Sequence, residues 1–164
     1  MEPGTEQAID QQVGGFTFQQ DGRLLLFRER DVALLAADGR AAPAIAFDAP
    51  GVPRFNDVIA TPDGRVLAGA MGKDNQGGLF HVDHNGLITN LWRGTNCSNG
   101  MAFTDDHATL YWTDSPARTI YRCRYDPATG KPTDPEPFIR TPDDEGVPDG
   151  MTIDTEGRLY STRF

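Results

Sequence analysis

An apolar run, an acidic turn and a second short apolar run recur four times in this chain, at 14–27, 56–69, 99–114 and 149–160. Aligned on the turn positions Gly22, Gly64, His107 and Gly157, the copies are spaced by 42, 43 and 50 residues. A period of that length means one supersecondary unit used repeatedly, and a four-stranded propeller blade fits it. Alternating apolar residues between Gly, Asp and Pro clusters place the strands of the first unit near 15–19, 23–27, 31–37 and 42–47. Those of the second fall near 56–60, 65–70, 78–83 and 86–92, and those of the third near 100–104, 109–113, 119–125 and 136–140. The fourth unit offers two runs, near 150–154 and 158–162.

The expected fold is therefore all-β, a partial propeller of about three and a half four-stranded blades. Residues 1–13 read as an irregular, polar N-terminal segment and 14–164 as one domain; the 18 Gly and 12 Pro suit a chain with many turns. A last unit of two strands leaves an open edge, whose unpaired N–H and C=O groups invite self-association with a second copy. The chain reads as blades from a larger ring or as a short form of one.

A formal net charge of -9 disfavours nucleic acid and anionic membrane surfaces as partners. No apolar run approaches the roughly 20 residues of a membrane-spanning helix. The stretch after Met1 lacks the basic start and apolar core of a secretion signal, so a cytoplasmic location is expected. Cys97 and Cys123 are too few and too widely spaced for a zinc knuckle or a disulfide framework, and read as two reduced thiols.

The first residue of the last three copies is Asn56, Asn99 and Asp149. In a propeller the innermost strand of each blade runs along the central channel, so one repeat position from several blades converges near the axis. Two amide oxygens and a carboxylate are hard ligands suited to calcium, magnesium or manganese, with zinc less specific, and a divalent metal site follows. The competing reading is local: Asn-Gly and Asp-Gly are strong turn dipeptides, and Asn99-Gly100 or Asp149-Gly150 would then merely supply left-handed backbone. The first unit has Gly14 at this position and contributes no side chain.

Other constellations carry less. His81 and His84 lie three apart on a strand, where they do not readily converge on a metal. Cys97 has no His placed by a recognisable motif to activate it. Trp92, Tyr111 and Trp112 read as packing between blades or as channel-rim residues, with ligand stacking as the lesser alternative, and Asp143-Asp-Glu145 as a solvated acidic loop near the entrance.

Arg54-Phe-Asn-Asp57 with Pro62-Asp-Gly-Arg65, Ser98-Asn-Gly-Met101 with Leu110-Tyr-Trp-Thr-Asp114, and Val147-Pro-Asp-Gly-Met151 with Asp154 and Gly157 resemble successive blade signatures of the SMP-30/gluconolactonase/regucalcin-like family. Tyr125-Asp-Pro-Ala-Thr-Gly130 resembles its outer-strand turn. The resemblance implies a six-bladed propeller, one divalent cation (calcium, zinc, manganese or magnesium) at the channel mouth, and hydrolysis of a sugar lactone or similar small ester. It implies that Asn99 and Asp149 bind metal, that Asn56 contacts metal or substrate, and that Arg54 binds substrate. Asp149 would also serve as the catalytic carboxylate, with a small-molecule lactone as partner. A family Glu in a Glu-Gly-Pro motif has no counterpart, since Met1-Glu2-Pro3-Gly4 carries those letters in another order. The chain thus resembles the family from its second blade into its fifth. Weak metal affinity and little turnover are expected of these 164 residues by themselves. The alternatives are a catalytically incomplete propeller fragment and a calcium-binding or interaction module.

Overall fold

The computed structural model describes residue 9 and residues 11–164. Most of the expected irregular segment 1–13 thus lies outside the described residues. Three four-stranded antiparallel sheets and one two-stranded sheet follow one another along the chain. The first comprises β1 (Gly15–Phe18), β2 (Leu24–Phe27), β3 (Asp31–Leu35) and β4 (Ala41–Ala46). The second comprises β5 (Arg54–Ala60), β6 (Val66–Met71), β7 (Gly77–Val82) and β8 (Ile88–Thr95). The third comprises β9 (Ser98–Phe103), β10 (Thr109–Asp114), β11 (Thr119–Asp126) and β12 (Lys131–Arg140), and the last β13 (Pro148–Ile153) and β14 (Leu159–Arg163). Strands pair in sequence order, and β1, β5, β9 and β13 lie side by side as the inner strands. This is the expected all-β arrangement of three and a half blades.

The repeated turn has one geometry in all four units. The anchor residue adopts a left-handed backbone at Gly22, Gly64, His107 and Gly157, with φ of 84°, 85°, 56° and 80°. Its N–H donates to the carbonyl three residues back, at 2.9–3.0 Å in each copy. His107 is the copy without glycine, and the Asp106 carboxylate beside it accepts from Ala108 N at 3.0 Å and from the Thr104 hydroxyl at 2.6 Å. Those bonds offset the cost of left-handed backbone at a residue with a side chain.

The core lies between blades. Strand alternation sends Phe55, Val66, Ala68, Ala70, Phe80 and Val82 of the second blade toward the first, where they meet Phe27, Val32 and Phe47. The intervening Leu67 and Leu79 face the third blade and meet Met101, Leu110, Trp112 and Cys123. The second blade is thus buried on both faces, which is why β6 and β7 read as nearly continuous apolar runs.

The outermost strand of the third blade starts at Lys131, five residues before the expected 136. Pro132 and Pro135 lie in the added stretch, and they are tolerated because β12 is an edge strand, where a missing N–H need cost no ladder bond; its register against β11 shifts twice. The fourth strand of the second blade runs over 88–95 instead of 86–92, because Gly86 is the left-handed turn residue before it. Strands β5, β9 and β13 each begin two residues earlier than the alternation predicts, which places Asn56, Asn99 and Asp149 inside strands rather than at their heads.

Candidate functional site in the channel

Each of these three strands is irregular at the repeated position. Phe55 pairs with Ala70 and Val58 with Ala68, so Asn56 and Asp57 together face the single residue Gly69. Asn99 pairs with Thr113 and Met101 with Trp112, leaving Gly100 as the extra residue. Pro148 pairs with Arg163 and Met151 with Ser161, so Asp149 and Gly150 together face Thr162. A bulge re-aims the side chain beside it and bends the strand. Three bulges at one repeat position turn three polar side chains out of the packing between blades.

The turn reading of the Asn-Gly and Asp-Gly pairs is not how the chain uses them, since neither Gly100 nor Gly150 is left-handed. Gly100 serves close approach instead: a methyl group there would overlap the Asp149–Met151 backbone of the next inner strand. Gly14, which in the first unit stands where Asn99 stands in the third, is also in close approach, pressed against the Phe55 carbonyl.

Arg54, Asn56, Asn99 and Asp149 line one cavity of about 500 Å³ together with Met71, Cys97, Ser115, Pro116, Val147 and Phe164. Asn99 Nδ2 donates to Asp149 Oδ1 and, at 3.2 Å, to Ser115 Oγ. Asn56 Nδ2 donates to the Ser98 carbonyl at 3.3 Å and faces Cys97 Sγ at 3.4 Å. With both amide N–H₂ groups spent on neighbours, the Oδ1 atoms of Asn56 and Asn99 are the acceptors left to the cavity. Arg54 spends one donor, Nη1, on the Phe55 carbonyl at 2.9 Å, and the rest of its fork remains for a ligand.

A frame beneath the cavity holds these side chains. Trp112 Nε1 donates to Ser98 Oγ at 2.6 Å, and Ser115 N donates to the Cys97 carbonyl at 3.2 Å. The Thr95 hydroxyl donates to Asp114 Oδ1 at 2.7 Å and accepts from Cys97 N at 3.0 Å. Burial pushes the Asp114 carboxyl above its usual range, against the Thr95 and Ala117 hydrogen bonds.

Alternation along β5 did not single out Asp57, because only the bulge sets it beside Asn56. Its carboxyl is raised by burial and, further, by the negative charge of Asp149, while Val58 N donates to it at 2.8 Å. Cys97 lines the cavity, and burial followed by the Asp149 charge pushes its thiol up. Such a thiol is a poor thiolate. Cys123 lies in the core between the second and third blades, and both cysteines are free. His81 is buried between strands and His84 sits exposed on a turn, so the pair does not converge. Trp92 and Trp112 pack at 5.2 Å across the second and third blades, as expected of blade packing, whereas Tyr111 packs at 5.0 Å on Phe138 within the third blade.

Among the described residues, no three His, Cys, Asp or Glu side chains come together to hold a metal ion. What the cavity offers is one carboxylate, Asp149, with the amide oxygens of Asn99 and Asn56. That all-oxygen set fits a hard dication in kind, and its single lining carboxylate fits weak binding.

Residues 3–164 match the sequence profile of the SMP-30/Gluconolactonase/LRE-like region. The chain is 44% identical over 154 residues to the pentonolactonase XacC of Haloferax volcanii, covering 93% of this chain and 52% of that protein. It is 30% identical to the regucalcin of Xenopus laevis, covering 93% of this chain and 54% of that one. Among solved structures, the calcium-binding regucalcin of Agrobacterium tumefaciens superposes with a TM-score of 0.86 at 27% identity, over 96% of this chain and 55% of that one. A gluconolactonase of Xanthomonas campestris shares the fold, with a TM-score of 0.75 at 22% identity over 92% of this chain and 56% of that one. The chain spans about half the length of these relatives.

Proposed function

We propose, from the premise that this chain belongs to the SMP-30/gluconolactonase/LRE-like family, that its channel cavity is a lactone-hydrolysing site that works with one divalent cation. The observation that carries the reading is the contact between Asn99 and Asp149, 50 residues apart in sequence, on the wall of a cavity that Asn56 and Arg54 share. Similarity to a pentonolactonase favours a sugar lactone as substrate.

Asn99, Asp149 and Asn56 would hold the cation through oxygen. When bound, it supplies Lewis acidity toward the lactone carbonyl. The chain's own residues do the rest. Arg54 holds a substrate oxygen with the donors it does not spend on Phe55. Asp149 Oδ1 is fixed by Asn99, and Oδ2 is left to orient a water and take its proton as the water oxygen bonds to the carbonyl carbon. The ring C–O bond then breaks, the proton passes to the departing ring oxygen, and a hydroxy acid results. Met71, Pro116, Val147 and Phe164 give the ring an apolar wall.

The test is hydrolysis of pentono- and gluconolactones by this chain in millimolar calcium, manganese or zinc against a chelated control. Slow turnover that disappears with chelator and in Asp149→Ala is expected. Turnover indifferent to both would overturn the reading. Dication binding without hydrolysis of either lactone would replace it with a cation-binding module, the reading that likeness to a calcium-binding regucalcin favours.

A further inference from the structure

Ser115 sits just past β10, is 6% exposed, and lies 16 residues from Asn99 and 33 from Pro148. Its hydroxyl donates to the Pro148 carbonyl at 2.6 Å, immediately before Asp149. Because its one proton is spent there, its oxygen offers only lone pairs to the Asn99 side chain 3.2 Å away. A primary amide presents a carbonyl oxygen at one end and an N–H₂ at the other, and a rotation of half a turn about its last bond exchanges them. Facing an oxygen that accepts only, Asn99 turns its N–H₂ toward Ser115, and the second amide proton goes to Asp149 Oδ1. The oxygen end is then the one left to a cation.

We infer that Ser115 is a positioning residue: its hydroxyl, together with the Asp149 carboxylate, sets which end of the Asn99 amide faces the cavity, and the same hydroxyl ties the backbone beside Asp149 to the third blade. The inference rests on the cation-assisted reading for its purpose but not for its geometry. Ser115→Ala removes one of the two acceptors that hold the Asn99 N–H₂ inward, leaving Asp149 Oδ1 as the other, and removes the tether with it, so the amide turns its N–H₂ outward, where it repels a cation, more readily than in wild type. Losing a group that orients a metal ligand typically lowers affinity by about 10–100-fold.

Two readouts separate the inference from its premise. In the chain without added metal, the side-chain N–H₂ resonances of Asn99 are followed by NMR in wild type and Ser115→Ala, with Asn99→Ser identifying the signal. Faster solvent exchange and a changed shift in Ser115→Ala are expected, whether or not a dication binds. Unchanged resonances overturn the inference even if the cation-assisted reading stands. The second readout is manganese affinity in a double-mutant cycle. Ser115→Ala should weaken binding at least about tenfold in the wild-type background. It should weaken it far less beside Asn99→Asp, whose carboxylate presents oxygen in both orientations. Equal losses in the two backgrounds would mark a merely structural serine and overturn the inference. Failure of wild type to bind manganese would count against the cation-assisted reading and leave the NMR comparison to decide the role of Ser115.

Discussion

The seam between the first and second blades and the seam between the second and third are built from the same repeat and do different work. The first is an aromatic cluster: the Phe27 and Phe55 rings lie 5.2 Å apart, Phe47 and Phe55 4.1 Å, and Phe47 and Phe80 5.4 Å. At the repeated position it has Gly14, which lets one inner strand press on the next and brings no chemistry. The second seam is apolar only in its middle. Toward the channel it passes through Trp112 and Ser98 into the Asn56, Cys97 and Asn99 cluster. Toward the repeated turns it carries Tyr125, whose hydroxyl donates to Asp63, itself paired with Arg65. The two seams thus differ at the repeated position: beside Phe55 there is no room for a side chain on Gly14, whereas the bulges in β5 and β9 set Asn56 and Asn99 on the cavity wall.

The comparison breaks most sharply at the site. Asp149→Ala is expected to lower dication-dependent lactone turnover by about 10²–10³-fold, the usual cost of losing one group that stabilises developing charge. Thermal unfolding without metal should hardly change, because Asp149 lies on the cavity wall. A large loss of stability in that variant would mean that the carboxylate serves the fold. At the first seam the pattern reverses. Phe55 is fully buried, and Phe55→Ala should cost about 3–5 kcal/mol in urea unfolding. Manganese affinity of the protein that remains folded should stay near wild type.

Trp112→Phe is a smaller perturbation that touches both functions of the second seam. It removes the donor to Ser98 Oγ and should cost about 1 kcal/mol. It should also loosen Asn56, which leans on the Ser98 carbonyl, so a measurable drop in manganese affinity is expected beside the drop in urea midpoint. A stability loss with unchanged affinity would separate the frame from the site.

The smallest effect is a pH dependence. Burial, then the charges of Arg65 and Lys131, hold the His81 imidazole below its ordinary value of 6.5, and its Nε2 has no partner among the described residues. The folded chain therefore keeps His81 neutral. Its contribution is complete above the unfolded value and is lost as pH falls from about 6.5 toward the folded one. Urea midpoints in His81→Leu should fall less between pH 7.5 and pH 5 than in wild type. Equal falls would mean that the titration lies elsewhere.

The sequence reveals the blades because period-2 alternation and left-handed turns are local properties, and each of the expected runs is a strand. It is less informative where tertiary position overrides local preference. Prolines in β12 argue against a strand until its place at a sheet edge is known. At the site, repetition brings Asn56, Asn99 and Asp149 to notice, and convergence on one cavity follows from stacking the repeat. Asp57 and Ser115 escape notice for physical reasons. A bulge changes the facing of its neighbours without leaving a mark in the alternation, and a serine between strands looks like any turn residue until its partners, 16 and 33 residues away, are brought beside it. The Asn-Gly pair misleads most, since the same dipeptide serves a tight turn or a close strand contact.

The most direct measurement is a calorimetric titration of manganese and calcium into the wild-type chain and into Asp149→Ala. One weak site per chain, with a dissociation constant of about 10⁻⁴–10⁻³ M, is expected in wild type and none in the variant. Equal binding by the two proteins, or no binding by either, would contradict the claim that the repeated polar position of the inner strands is where this chain holds its cation.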